Sequence, residues 1–315
     1  MATLIAPNEI SPVQDAESLH KAFKGWGTDE KAAIAILGHR NSFQIQQIRQ
    51  AYEELYEENL IKRLESKLSG DFERAVYRWV LEPTDRDAVL ANVAIRNSNN
   101  VDYTMIVEIS CIYSSEELLA VRRAYHNRYK HSLEEDVAAH TSGYLRQFLV
   151  GLVSSYRYEG DEMKARLAQT EANILHDALK HKSDNHEEVI RILTTRSKTQ
   201  LVATFNRYRD DHGTSITKKL LDDASDNFLR AVHTAIHCIS DHQKYHEKVL
   251  RNATKRIGNY EDALTRVIVT RAERDLRDIK DLYYKKNSEH LENSVAKEVS
   301  GYYKKFLLTL LGQED

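Results

Sequence analysis

One helical register runs four times through the 315 residues of this chain, and that repetition leaves few folds open. Arg40, Tyr113, Arg196 and Arg271 stand in a column, separated by 73, 83 and 75 residues. Twelve residues after each stands a tyrosine: Tyr52, Tyr125, Tyr208 and Tyr283. Five residues after each stand Ile45, Leu118, Leu201 and Leu276. The same offsets carry Gly70 to Gly143, Asp226 and Gly301, and Phe72 to Leu145, Phe228 and Tyr303. A period above 70 residues is longer than the roughly 20–50 of common solenoids, so each copy has room for its own small core.

Each unit reads as five helices. In the first, Ala16 to Lys24 carries Leu19 and Phe23 on one face, and Lys31 to His39 carries Ile34, Ile36 and Leu37. The polar turn Arg40-Asn41-Ser42 follows, with Ser42 expected as the N-cap of a helix through Ile45, Ile48 and Tyr52. A helix through Leu60, Leu64 and Leu68 ends at Ser69-Gly70, and an apolar one covers Phe72 to Leu81. With only three prolines and eleven glycines, few points force the chain out of helix. The expected fold is all-α, four repeats of five helices. The boundaries read as a tail at 1–11, repeats at 12–82 and 83–153, a connector at 154–170, and repeats at 171–240 and 241–315. Within the connector, Tyr156 to Asp161 reads as an ordered linker over the surface.

The formal charge of −3 supplies no bulk attraction to nucleic acid or to an anionic membrane, so any such pull must come from a local patch. Met1 to Gln14 has neither a basic start nor an apolar run, and no secretory signal is expected. Phe148 to Val153 is far short of the roughly 18 apolar residues of a spanning helix. Two cysteines, Cys111 and Cys238, are too few for a disulfide framework. The expectation is a cytoplasmic protein that touches membranes from outside, with no nucleic-acid partner.

The most specific residues lie between the helices. They are Lys24-Gly25-Trp26-Gly27-Thr28-Asp29-Glu30 and Leu68-Ser69-Gly70-Asp71-Phe72-Glu73 in unit one. Leu133 to Val137 with Thr141-Ser142-Gly143, and Ile192 to Ser197, add to them. Through these the chain resembles the annexins over essentially its whole length. The short tail, Trp26 and Ser154 to Gly160 are most similar to plant annexins. The resemblance implies a curved disc whose convex face binds acidic phospholipid through calcium, monomeric in solution and able to self-associate on the membrane. Calcium takes six to eight hard oxygens. Glycines turn loop carbonyls onto the ion, and a carboxylate 40 residues after the second glycine completes the family's site.

This chain departs from that pattern in every unit. Unit one keeps its glycines but has Lys67 for the acid. Unit two has Ser98, Asn100 and His140; unit three has His181, Ser183 and Asp223; unit four has Arg256, Gly258 and Glu298. Weak calcium binding is expected, with Gly25, Gly27, Thr28, Glu30, Gly258 and Glu298 as the candidate ligands. Thr28 and Glu30 correspond to the family's minor site. Two unit charges 4 Å apart interact by about 4 kcal/mol at an effective dielectric of about 20. A loss of about 1.4 kcal/mol already weakens binding tenfold, so Lys67 opposes a dication. The same loops collect Lys24, Lys67, His140, Lys180, His181, Lys182, Lys255 and Arg256. These tethered cations are expected to hold anionic headgroups directly, offset by Asp184, Asp223 and Glu298. Trp26 reads as an interfacial anchor.

No phosphate-cradling loop, nucleophile elbow or zinc spacing is present, so no enzyme is expected. His39 holds a position for which the plant family implies peroxidase-like activity, but a lone histidine at a helix end reads as structural. Cys111 and Cys238 match two cysteines that plant annexins place near each other. Buried inert thiols are expected, with a redox pair as the alternative. Ile190-Arg191-Ile192 matches a short actin-binding string of the family and equally fits a helix core.

Overall fold

The computed structural model of the chain describes residues 1–25, 27–96, 103–154, 156–180, 186–220, 226–257 and 260–313. Among the described residues the chain forms α-helices and no strand, five helices to each repeat. Repeat one contains α1 (Pro12–Ala22), α2 (Glu30–Leu37), α3 (Ser42–Tyr56), α4 (Leu60–Lys67) and α5 (Gly70–Val80). Repeat two contains α6 (Pro83–Arg96), α7 (Thr104–Ile112), α8 (Ser115–Tyr129), α9 (Leu133–His140) and α10 (Gly143–Ser154). Repeat three contains α11 (Ala165–Lys180), α12 (His186–Thr195), α13 (Lys198–His212), α14 (Ile216–Leu220) and α15 (Asn227–Ser240). Repeat four contains α16 (His242–Ala253), α17 (Tyr260–Arg271), α18 (Leu276–Asn287), α19 (Leu291–Glu298) and α20 (Gly301–Leu310). No described helix is long and apolar enough to cross a membrane.

The sequence columns have physical causes. Arg40 grips the Asp15 carboxylate at 2.7 and 2.9 Å, tying the turn after α2 to α1. In repeat two the Tyr113 hydroxyl donates to Asp87 at 2.7 Å. In repeat three Arg196 donates to Glu171 at 2.8 Å, and Glu171 is only 1% exposed. In repeat four His246 occupies the acid's register, and Arg271 turns instead to Asp275 at 2.6 Å. The tyrosine column is buried throughout. Tyr52 meets the His20 ring nitrogen at 3.2 Å, and the Tyr283 hydroxyl meets that of Thr254 at 2.9 Å. Tyr125 donates to Asp136 at 2.6 Å and accepts from Asn92 at 3.0 Å. Tyr208 lies against the rings of His176 and His212. Tyrosine suits the position because it fills a core with its ring while its hydroxyl still finds a partner.

The expected N-cap moves by one residue. Asn41, not Ser42, caps α3: its side chain accepts from Gln44 N at 2.9 Å while Gln44 accepts from Asn41 N at 3.1 Å. Ser114 makes the same reciprocal box with Glu117, and Ser197 caps Gln200 in that register.

The helices gather into two compact units. One comprises residues 1–86 with 243–315, and the other residues 87–242. The first joins repeats one and four, with α5 packed on α17 and α20 and Phe72 against Tyr302 and Phe306, both at 6.1 Å between ring centres. Its core includes Phe23, Tyr52, Trp79, Leu264 and Phe306. The tail belongs to this unit: Thr3 donates to the Ala272 carbonyl at 2.9 Å and the Leu310 carbonyl at 2.6 Å. Gly312, at φ +83°, faces it so closely that a Cβ would stand 2.7 Å from the Thr3 carbonyl oxygen, which excludes other residues.

The second unit joins repeats two and three, with Phe228 against Tyr144 and Phe148 at 6.0 and 5.8 Å. Here the connector departs from the expected surface linker. Tyr156 and Tyr158 are exposed, but Arg157 is buried and donates to the carbonyls of Leu193, at 2.9 Å, and Arg196. Glu159 accepts from Ser115 N at 2.6 Å. A guanidinium offers several donors to carbonyls that the end of α12 leaves unpaired, which draws the segment inward.

Replacing Tyr125 by Phe removes a buried partner from both Asp136 and Asn92, with an expected loss of about 1–3 kcal/mol in stability. Tyr52→Phe, whose partner His20 is only half-buried, is expected to lose less. Urea unfolding midpoints of the two variants check the order.

Candidate functional site

The loop between α1 and α2 is shaped before any ligand is considered. Asp29 N reaches back to the Ala22 carbonyl at 2.9 Å and closes the loop's base, while the Asp29 carboxylate caps α2 through Ala32 N. Gly25 and Gly27 adopt φ of +90° and +126°, a region that favours glycine, although space for a side chain exists at both. Gly25 and Gly27 are exposed, and Thr28 and Glu30 are half-exposed.

Three hydrogen bonds lace this loop to α4. Arg63 donates to the Phe23 carbonyl at 2.8 Å. The Thr28 hydroxyl donates to the Lys67 carbonyl at 3.2 Å. In the opposite direction the Lys67 ammonium donates to the Gly25 carbonyl at 2.9 Å. The expected adversary of calcium thus sits on a carbonyl that the resemblance assigns to the ion.

The loop after α16 repeats the arrangement with its polarity exchanged. Arg256 stands in the register of Gly25 and keeps the same left-handed turn at φ 56°, without glycine's freedom. Such a conformation costs on the order of 1 kcal/mol for a residue with a side chain. Its Nε donates to the Glu298 carboxylate at the end of α19, at 2.5 Å, and its guanidinium lies 5.8 Å from the centre of the Tyr260 ring. That hydrogen bond with Glu298 pushes the Arg256 guanidinium further up from its ordinary range, so it stays charged. Both Lys67–Gly25 and Arg256–Glu298 span 42 residues. Lys24, Lys255 and Arg256 are exposed. So is Ile257, at 59%, an apolar tip that the sequence reading passed over. Its signal was the register, since Ile257 occupies the column of Trp26.

In repeat two His140 is exposed at the end of α9 and donates Nδ1–H to the Asp136 carbonyl at 2.8 Å, while its own carbonyl accepts from the Tyr103 hydroxyl. Trp26, Ser98, Asn100, His181, Lys182, Ser183, Asp184, Asp223 and Gly258, with the side chain of Lys180, lie outside the described residues.

Calcium does not fit either laced corner as the side chains stand. The first has Lys67 at the helix-end acid position and a carbonyl already bonded to that cation; the second has its helix-end carboxylate held by Arg256. No group of three or more His, Cys, Asp or Glu is gathered for a metal among the described residues. The Thr28 carbonyl and the Glu30 carboxylate, the oxygens of the expected minor site, belong to half-exposed residues.

The remaining candidates are built into the scaffold. His39 donates Nδ1–H to the Ala35 carbonyl at 3.1 Å, closing the last turn of its own helix. Within the actin-like string in α12, Ile192 is fully buried and the half-exposed Arg191 pairs with Glu188 at 2.7 Å. Cys111 and Cys238 are free and buried. Burial pushes the Cys111 thiol up to about 11, against a downward pull from Arg157 and Lys198.

Comparison with known proteins matches this architecture repeat by repeat. The annexin family's sequence model matches residues 14–79, 87–152, 170–235 and 245–310. Annexin-like protein RJ4 of Fragaria ananassa is 67% identical over 315 residues, which is 100% of both chains. The solved structure of annexin III aligns with a TM-score of 0.92 at 30% identity, over 100% of this chain and 98% of that one. A calcium-bound structure of annexin (Sm)1 aligns with a TM-score of 0.81 at 26% identity, over 99% and 93%.

The buried thiol sets the sign of one pH effect. Its folded value is about 11 against an ordinary 9.0, so the unfolded chain releases this proton first. Between about pH 9 and 11 the unfolded state binds fewer protons, and stability falls as pH rises. Cys111→Ala is expected to lose on the order of 2 kcal/mol less than the parent across that window. Urea unfolding at several alkaline pH values measures the difference.

Proposed function

Because the chain belongs to the annexin family, whose members are calcium-dependent phospholipid binders, we propose that it docks peripherally on membranes rich in acidic phospholipid. The observation that carries this reading is the tip of the repeat-four loop, where exposed Lys255 and Arg256 adjoin exposed Ile257. Cations next to an apolar tip suit an interface of phosphates above hydrocarbon. Each Lys or Arg near an anionic surface contributes about 1 kcal/mol. Burying an Ile side chain contributes about 1.5–3 kcal/mol. Trp26 is assigned the matching role in repeat one, together with Lys24 and Lys67. His140, Lys180, His181 and Lys182 supply further charge at the loops of repeats two and three. Against a net charge of −3 this attraction is local, so it is screened by salt.

Calcium promotes docking in this reading, but weakly. Thr28 and Glu30 would hold it, and its charge would draw in lipid phosphate. The protein acts from the cytoplasm, as a monomer that self-associates on the membrane. The redox and actin-adaptor alternatives have less support, because both thiols and Ile192 of the Ile190-Arg191-Ile192 string are buried.

Sedimentation with phosphatidylserine-containing vesicles is expected to pellet the protein, more with calcium than with EGTA, and less as salt rises. Ile257→Ser is expected to weaken binding roughly tenfold or more. Equal partition onto neutral and acidic vesicles, with or without calcium, would contradict the reading.

A further inference from the structure

Two corners of this molecule carry their own cation. In repeat one the cation comes from the helix end, Lys67, and lands on a loop oxygen, the Gly25 carbonyl. In repeat four it comes from the loop, Arg256, and lands on a helix-end oxygen, the Glu298 carboxylate. The donor and acceptor sides are exchanged, yet the register and the 42-residue separation are the same. The loop keeps its left-handed turn in both, at Gly25 and at Arg256. What persists is a positive charge bridging loop and helix end. What varies is which strand of chain delivers it.

We propose that Lys67 and Arg256 are resident cations that let these corners hold the phosphate of an acidic lipid headgroup without a metal ion, with Lys67 the stronger of the two. The proposal rests on the membrane docking described above. Lys67 is stronger because its partner is a neutral carbonyl, so its charge is not offset, whereas the charge of the exposed Arg256 is partly offset by Glu298. An ammonium has three N–H donors; one is used on Gly25, which leaves two for phosphate oxygens. The bond to Gly25 also fixes a long flexible side chain before any ligand arrives, which lowers the ordering entropy of binding. Lys24, one residue from Gly25, adds a second exposed charge at the same corner. It follows that residue 67 sets the calcium response of repeat one. A carboxylate there would repel phosphate and attract calcium.

The test uses the full chain in four forms: the parent, Lys67→Met, Lys67→Arg and Lys67→Glu. Each is sedimented with phosphatidylserine–phosphatidylcholine vesicles in EGTA and titrated calorimetrically with calcium alone. The parent is expected to bind vesicles in EGTA in a salt-sensitive manner. Lys67→Met is expected to bind roughly fivefold more weakly in EGTA, with no gain in calcium affinity. Lys67→Arg should restore most of the EGTA binding. Lys67→Glu should lose it and bind calcium at least tenfold more tightly than the parent. Parent and Lys67→Met binding equally in EGTA would overturn the resident-cation assignment while leaving membrane docking in place. A parent that stays in the supernatant in both EGTA and calcium would overturn the docking itself. Inorganic phosphate titrated without vesicles separates the sources of the anion: tight binding of free phosphate would remove the lipid from the proposal.

Discussion

An acid on the first helix of a repeat, gripping the turn after the second, fixes how those helices lie together. Asp15 with Arg40, Asp87 with Tyr113 and Glu171 with Arg196 do this in three repeats. The acids are at most 9% exposed, so each would be a costly isolated charge. For the ion pairs Asp15–Arg40 and Glu171–Arg196, removing one partner costs about 3–5 kcal/mol. With the first two helices fixed, their connecting loop is held against the end of the fourth. The corners exist because of that packing.

Backbone shape and side-chain chemistry have separated at those corners. Gly25 and Arg256 share a left-handed turn, although one residue adopts it freely and the other does so at a cost. The Glu298 hydrogen bond and the Tyr260 ring help to hold Arg256 there. The loop is therefore a scaffold that accepts different ways of placing a charge. In repeat two the Tyr103 hydroxyl bonds to the same helix-end carbonyl position that Thr28 engages in repeat one, so neutral donors also lace the element pair.

Much of this was legible in the sequence, for identifiable reasons. The arginine and tyrosine columns could be read because each side chain meets a partner at a fixed place in its repeat. Five helices per repeat followed from apolar spacing. The cap at Asn41 was misplaced by one residue because Asn and Ser adjoin, and only the reciprocal bond to Gln44 decides between them. The inward turn of Arg157 was not legible, since its acceptors, the carbonyls of Leu193 and Arg196, are created by a helix end some 40 residues away. Lys67 could be seen to replace an acid; its bond to Gly25 could not, because a charge in a column shows what is missing and not what it reaches. Ile257 was overlooked although the register of Trp26 pointed to it.

The two compact units are unequal along the chain. Residues 87–242 form one uninterrupted stretch, while the other unit needs residues 1–86 and 243–315 together. During synthesis, at roughly 5–20 residues per second, the central unit emerges whole while the leading repeat still lacks its partner. Phe72 then waits on the order of ten seconds or longer for Tyr302 and Phe306, and Thr3 for the carbonyl of Leu310. A nascent chain of this design exposes its first apolar surface longest, so the ribosome-bound stage is when its earliest-made helices have most need of a chaperone.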